Sequence, residues 1–93
     1  MEERGVALYA LGRYAEAVGS LGNLTFQTTR SRLYRAAALM ALDRSSEAQR
    51  VVREALAGNP RLTASNFVCK ERYRDPETAR ELARLLKEAG LPA

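Results

Sequence analysis

Catalysis needs side chains that can move protons, hold metals or attack, and this sequence gathers few of them. It contains no histidine, so the commonest general acid–base and the commonest transition-metal ligand are missing. Its single cysteine, Cys69, has Lys70 beside it, Arg72 three residues on and Ser65 one turn earlier. A cationic neighbourhood of that kind can lower a thiol's pKa. Without histidine as a base, nucleophilic catalysis is poorly served, and the expected role of Cys69 is that of a small buried hydrophobe. A lone cysteine forms no internal disulfide, so the expected location is a reducing cytoplasm. No catalytic residue, metal site or cofactor is expected.

Arginine raises a second kind of chemistry. In "TTRSRLYR", Arg30, Arg32 and Arg35 stand close together with Tyr34 among them, and "KERYR" repeats the flavour at residues 70–74. A basic stripe interleaved with aromatics can hold phosphates and stack bases. Against this, charges alternate in sign at helical spacing: Glu47 with Arg50, Arg50 with Glu54, Glu77 and Glu81 with Arg80 and Arg84, and Arg84 with Glu88. Such patterns make solvated faces with weak i,i+3 and i,i+4 pairing. A net charge of +4 is also mild, and nucleic acid is not the expected partner.

The elements that must carry these residues are helical. Val6, Leu8, Tyr9 and Leu11 form one apolar stripe, and Leu33, Ala36, Ala37, Leu39 and Met40 form another. Alternation of the kind a half-buried strand needs is absent. Breaks near Gly12 and at residues 22–29, 42–46, 58–63 and 73–76 leave six helices, expected near 3–11, 14–22, 30–42, 46–57, 63–72 and 76–89. Asp75 before Pro76 predicts an N-cap with proline at the first helical position. Gly90 before Leu91-Pro92 predicts a left-handed helix end, and Gly58-Asn59-Pro60 is expected to close the fourth helix in the same manner. Ser46 with Gln49 can form a capping box. The chain is one domain's worth of residues, and no apolar run in it is long enough to cross a bilayer.

One outline is written twice. Under a shift of 31 positions, "LGRYAEAVGSL" overlays "LDRSSEAQRVV", and Gly5 meets Ala36, Leu8 meets Leu39, Gly12 meets Asp43, Ala17 meets Ala48, and Leu21 meets Val52. Small residues meet small ones and large apolar residues meet large ones. Two stacked helical hairpins require this: a tight turn between helices, a small residue where backbones approach, and a bulky one filling the groove beside it.

These stretches, "GVALYALGRYAEAV" and "AAALMALDRSSEAQRVVREALAGNP", resemble the tetratricopeptide repeat. The resemblance assigns Gly5 and Ala36 to the small position of the first helix and Leu8 and Leu39 to its following large position. It assigns Tyr14 to the aromatic opening the second helix, Ala17 and Ala48 to the most demanding small site, and Ala55 and Pro60 to the repeat's end. Departures are a period of 31 in place of 34 and Ser45 in place of the second aromatic. The implied fold is all-α, a right-handed tetratricopeptide-like solenoid of three antiparallel hairpins in a single domain over residues 1–93. Residues 1–28 would be repeat one, 29–60 repeat two, and 61–93 a C-terminal capping helix pair.

A narrower resemblance covers residues 59–92. Asn59, Pro60, Leu62 and Thr63, then Tyr73, Asp75 and Pro76, then Leu85, Lys87, Ala89, Gly90, Leu91 and Pro92 look like the extreme C-terminus of bacterial class III adenylate/guanylate cyclases that end in such repeats. The cyclase reaction needs two metal-binding aspartates on adjacent strands of an α/β domain. Asp43 and Asp75, both in predicted turns, do not supply them, so the resemblance implies a catalytic domain elsewhere in a parent protein.

The resemblance also implies a concave groove lined by the first helix of each hairpin. The positions carried over are Glu2, Val6, Tyr9 and Ala10, then Arg30, Leu33, Ala37, Met40 and Ala41, with Ser65 and Cys69 following. Glu2 and Val6 stand where the family's carboxylate clamp wants Lys and Asn, so that specialisation is rejected. An apolar groove of Val6, Tyr9, Leu33, Ala37 and Met40 suits an amphipathic helix from another protein or from the same parent chain. The alternative is that an adjacent helix covers these residues. The expected function is protein–protein or intramolecular docking, as a cyclase tail or as a stand-alone adaptor, with a small arginine-based nucleic-acid binder as the rival from another class. The N-terminal helix lacks a cap before it, and its apolar edge is expected to be covered by a homodimer partner or by preceding repeats.

Overall fold

The computed structural model describes residues 2–93; Met1, the first residue of the expected repeat one, lies outside them. Six helices follow one another: α1 (Glu2–Ala10), α2 (Tyr14–Gly22), α3 (Thr29–Ala41), α4 (Ser45–Gly58), α5 (Ala64–Glu71) and α6 (Pro76–Glu88). The described residues contain no strand, and none of their helices is long and apolar enough to cross a membrane. The fold is all-α.

The 31-residue shift is written into the backbone. At the end of α1 the Arg13 N–H donates to the Leu8 carbonyl at 2.9 Å and the Gly12 N–H to Tyr9 at 3.0 Å. At the end of α3 the Arg44 N–H donates to Leu39 at 2.9 Å and the Asp43 N–H to Met40 at 3.0 Å. Both are Schellman turns, closed through a left-handed residue, Gly12 at φ 78° and Asp43 at φ 61°. Aspartate is among the few non-glycine residues that enter that region readily. The chain then starts the next helix at once, with Arg13 bonded to Glu16 and Arg44 to Glu47 in matching positions. This early start corrects the expected capping box: Arg44 is the N-cap of α4, and Ser46 already lies inside the helix.

The other ends follow their own local chemistry. Thr28 and Ser31 form a reciprocal capping box at α3. Asp75 caps α6, accepting from the Glu77 N–H at 3.0 Å with Pro76 at the first turn. Gly90 is left-handed at φ 107°, as expected. The end of α4 is not: Gly58 stays helical, and the break falls on Asn59, extended at φ −149°. A residue before proline is driven out of the helical region, which places the break one residue later than a glycine cap would.

Packing begins from these short turns, which bring α1 against α2 and α3 against α4 as antiparallel pairs. Gly5 is the tightest point: a Cβ there would lie 2.4 Å from Leu21 of α2. Ala17, Leu21, Ala36, Ala48, Val52 and Ala55 are all buried, while Pro60 is exposed. The second hairpin then lies on the first through α2–α3 and α1–α3 contacts. The third pair departs from an extended stack. Helix α6 turns back onto α3, with α5 held against α6, and the Pro92 carbonyl accepts from the Ala64 N–H at 2.7 Å. Extents of 30 × 26 × 23 Å show the resulting closure.

Helix α3 therefore has neighbours on nearly every side, and its burial runs through Ser31, Leu33, Tyr34, Ala36, Ala37, Ala38 and Leu39. Glycine has two opposite meanings in this packing. Replacing Gly5 by alanine forces Leu21 aside and is expected to destabilise the chain by about 1–3 kcal/mol. Replacing Gly19, which faces open space in mid-helix, is expected to stabilise it by about 0.5–1 kcal/mol. Urea unfolding of the two single variants measures both.

Candidate docking site

The residues expected to line a groove occupy two kinds of place. Leu33 and Ala37 have no exposed surface and Tyr9 retains 5%. Val6, Arg30, Met40 and Ala41 are half-buried, and Ala10 is exposed. Of the two expectations the burial favours a covered face over an open groove: α6 packs on α3, and its Leu82, Leu85 and Leu86 are buried. The first turns of α6 stand beside Tyr9, Ala10 and Tyr14, and an open cleft of about 330 Å³ remains there between Glu77, Thr78 and Glu81 and the two tyrosines. Leucines at positions 82, 85 and 86 repeat along one face, while Glu77, Arg80, Glu81, Arg84, Lys87 and Glu88 stay in solvent. That amphipathic design is what an apolar groove selects.

Arg30 belongs to a different arrangement. Its Nη1 donates to Glu2 at 2.9 Å and to Glu3 at 2.6 Å, and its Nε donates to Glu71 at 3.0 Å. The guanidinium also lies over the Tyr34 ring, 5.5 Å from its centroid. The Tyr34 hydroxyl donates to Glu71 at 2.7 Å and meets the Tyr73 hydroxyl, and the Thr28 hydroxyl donates to Glu2. Helices α1, α3 and α5 and the α5–α6 turn are tied at this one point. Arg72 supports it by adopting a left-handed conformation at the end of α5 (φ 55°) just before Tyr73, at a cost of about 1 kcal/mol.

A run of rings continues from the cluster through the core. Tyr14, Tyr9, Tyr34 and Phe67 follow one another with centroids 5.6, 5.4 and 5.8 Å apart, inclined at 59°, 71° and 68°. Tilted and edge-on pairs of this kind contribute about 0.5–1.5 kcal/mol each beyond their buried area. The ladder links α2, α1, α3 and α5.

This geometry settles where the sequence candidates for chemistry lie. Tyr34 is buried and bonded, so its face is closed to a base, and Arg35 lies 3.8 Å from Glu54. Cys69 is exposed, which corrects the expectation that it would be buried: α5 turns Phe67 and Val68 inward and leaves Cys69 outside. The exposed pairs Glu77–Arg80, Glu81–Arg84 and Arg84–Glu88 form as expected, but Glu47 pairs with Arg44 and not with Arg50. Asp43 makes a turn and Asp75 a cap. Among the described residues, no three metal-ligating side chains gather in one place. Among the described residues two large apolar side chains remain in solvent, Leu11 at 70% exposure and Phe26 at 84%.

The cluster shifts its members' titration. Hydrogen bonding from Thr28, and then from Arg30, holds the Glu2 carboxyl below its ordinary value against the opposing effect of burial. Burial raises the Tyr9, Tyr34 and Tyr73 hydroxyls above their usual value of 10.0; at Tyr34 the bonds to Tyr73 and Glu71 add to it.

No family model, curated protein or solved structure matches the chain.

A raised tyrosine pKa contributes stability that is complete below the unfolded value of 10.0 and is lost as pH rises toward the folded value. The urea midpoint is therefore expected to fall between about pH 9 and 11.5, and Tyr34→Phe is expected to shrink that fall. The depressed Glu2 acts in the opposite window, its contribution fading as pH drops below 4.5. Arg30→Met is expected to lose about 1–2 kcal/mol at neutral pH, since Glu71 is left nearly buried and short of a partner. Arg13→Met, at an exposed pair, is expected to lose under about 0.5 kcal/mol. Unfolding curves across pH measure all of these.

Proposed function

We propose that this chain is a non-catalytic docking module, built from two like helical hairpins and a helix pair that closes over them. One observation carries the reading. Arg30, Tyr34 and Glu71 are occupied in holding the fold, while two large apolar side chains, Leu11 and Phe26, stand bare on the surface. Large apolar side chains left in solvent are surface that a protein partner would cover. The resemblance of residues 59–92 to cyclase tails supports a finer reading, in which the module is the C-terminal region of a bacterial class III adenylate/guanylate cyclase and docks within its parent protein. A stand-alone tetratricopeptide adaptor is the other form of the same role.

The nucleic-acid reading loses its best stretch, because Arg30 faces three carboxylates and Tyr34 is buried. Phosphate contacts weaken steeply with salt, whereas apolar docking does not. The purified chain is expected to pass a column of duplex or single-stranded DNA at about 0.15 M salt without retention. Strong retention that collapses with added salt would overturn docking in favour of a nucleic-acid role. For the cyclase form, the reading frame ahead of Met1 is expected to run into a catalytic α/β domain carrying two metal-binding aspartates. A stop codon there leaves the adaptor form.

A further inference from the structure

A buried tyrosine normally finds a partner for its hydroxyl. Tyr34 follows the rule, donating to Glu71 and meeting Tyr73. Tyr9 does not: it keeps only 5% of its surface, yet its hydroxyl has no hydrogen-bond partner among the described residues. Every fully enclosed side-chain oxygen or nitrogen of those residues is satisfied, so the surface that Tyr9 keeps includes this oxygen. Tyr9 reaches the surface in the cleft of about 330 Å³ between the first hairpin and the first turns of α6, a volume at the low end of ligand sites. Ala10 contributes no more than a methyl group to its wall. The other walls are Tyr14, its ring inclined at 59° to that of Tyr9, and Glu77, Thr78 and Glu81.

The lining is rich in acceptors and holds no basic side chain. Glu77 and Glu81 stand one helical turn apart, which puts both carboxylates on one face of α6. Their arginine partners, Arg80 and Arg84, are exposed, and neither lines the cleft. The Thr78 hydroxyl donates its hydrogen to Asp75 at 3.2 Å and so offers only lone pairs. Burial, Tyr14, Tyr73 and Glu81 all oppose ionisation of the Tyr9 hydroxyl, and the Glu81 charge is felt there more strongly than that of Arg84. An anion is repelled from such a place, and a neutral apolar group leaves the acceptors unpaired. We propose that the cleft binds an organic cation with N–H donors, the alkylammonium or guanidinium head of a lysine or arginine side chain or of a free amine. The head sits between the two tyrosines and the Glu77 and Glu81 carboxylates, and the Tyr9 hydroxyl accepts one of its N–H groups. Tyrosine rings add their own attraction for such a charge. This goes beyond the docking reading and does not rest on it.

Capped amino acids titrated into the whole chain at neutral pH test this, with amide NMR spectra as the readout. The probes are N-acetyl-lysine methylamide, N-acetyl-arginine methylamide and the uncharged N-acetyl-norleucine methylamide. The charged probes are expected to shift the amides of Ala10, Tyr14 and Thr78 with a Kd on the order of 1 mM, and the norleucine probe to bind at least about tenfold more weakly. Glu81→Gln and Tyr9→Phe are each expected to weaken the charged probes about threefold, and Glu77→Gln with Glu81→Gln about tenfold. Helical circular dichroism is expected to stay unchanged, since both glutamates are exposed and phenylalanine keeps the ring of Tyr9 in place. Equal binding of the norleucine probe overturns the cation. Unchanged affinity in the double variant, or shifts confined to residues away from the cleft, overturns the site, as does the absence of any shift at about 50 mM probe. Cadaverine carries the same head without a peptide. Binding tighter than that of the lysine probe supports the site with a free amine as its occupant, and weaker binding supports it with a side chain presented by a docked protein. The docking reading rests on Leu11 and Phe26, and loss of the cleft leaves it standing.

Discussion

Two packed helices are held apart by whatever side chains stand at their crossing, usually at 8–10 Å between axes. Helix α3 must satisfy this on several sides at once, since α1, α2, α4 and α6 all lie against it. Its run of Ala36, Ala37 and Ala38 has no exposed surface, and methyl groups are the largest side chains that let neighbours approach from opposite directions together. Gly5, Ala17 and Ala48 extend the constraint to the hairpin pairs. Leu21 can occupy its place only because Gly5 has no Cβ, so the bulky and the small residue are halves of one contact.

A core built on alanine buries little apolar area per residue, and its helices must be tied by other means. Rings provide part of this, since Tyr14, Tyr9, Tyr34 and Phe67 join four helices along one line. The Arg30 cluster provides the rest and adds register. Glu71 reaches both Arg30 and Tyr34 from α5, so sliding α5 by one turn would strand a carboxylate that is only 12% exposed. An unpaired charge there is costly, so the pairing favours one register. Closure by α6 then follows from a position already set by Tyr73 at one end and by the Pro92 carbonyl at the other.

What could be read in advance was local. Helix boundaries came within about two residues, the usual uncertainty of helix ends, because periodicity, Asp75-Pro76 and Gly90 act within a turn of themselves. The equivalence of the hairpins was legible too, down to a tight turn at Gly12 and Asp43, whose shared left-handed conformation only the backbone shows. Long-range placement was not. Nothing near Arg30 announces Glu71, which lies 41 residues away, and Arg30 looks like a phosphate ligand until that carboxylate is beside it. The groove was misjudged for a related reason. From its sequence the last helix reads as part of a capping pair, and such a helix can end the stack or fold back along it; its packing onto α3 is a long-range contact that no local signal carries. Cys69 failed on a smaller scale: in a helix of eight residues, a rotation of one position moves a side chain from core to solvent.

The two ends of the hairpin pair differ in a way that bears on what the molecule is for. On the α4 side the outward residues are Ser45, Gln49, Arg50 and Arg53, a solvated edge that ends the pattern. On the α1 side Arg4, Ala7, Ala10 and Leu11 are exposed, whereas of their counterparts in the second hairpin Ala38 is buried and Arg35, Ala41 and Leu42 are half-buried. Alanine is the strongest helix former, so Ala7 and Ala10 support α1 itself, while Leu11 adds exposed apolar surface at its end. The second hairpin thus buries against the first a face that the first leaves to solvent, and the two hairpins share an outline without sharing an environment.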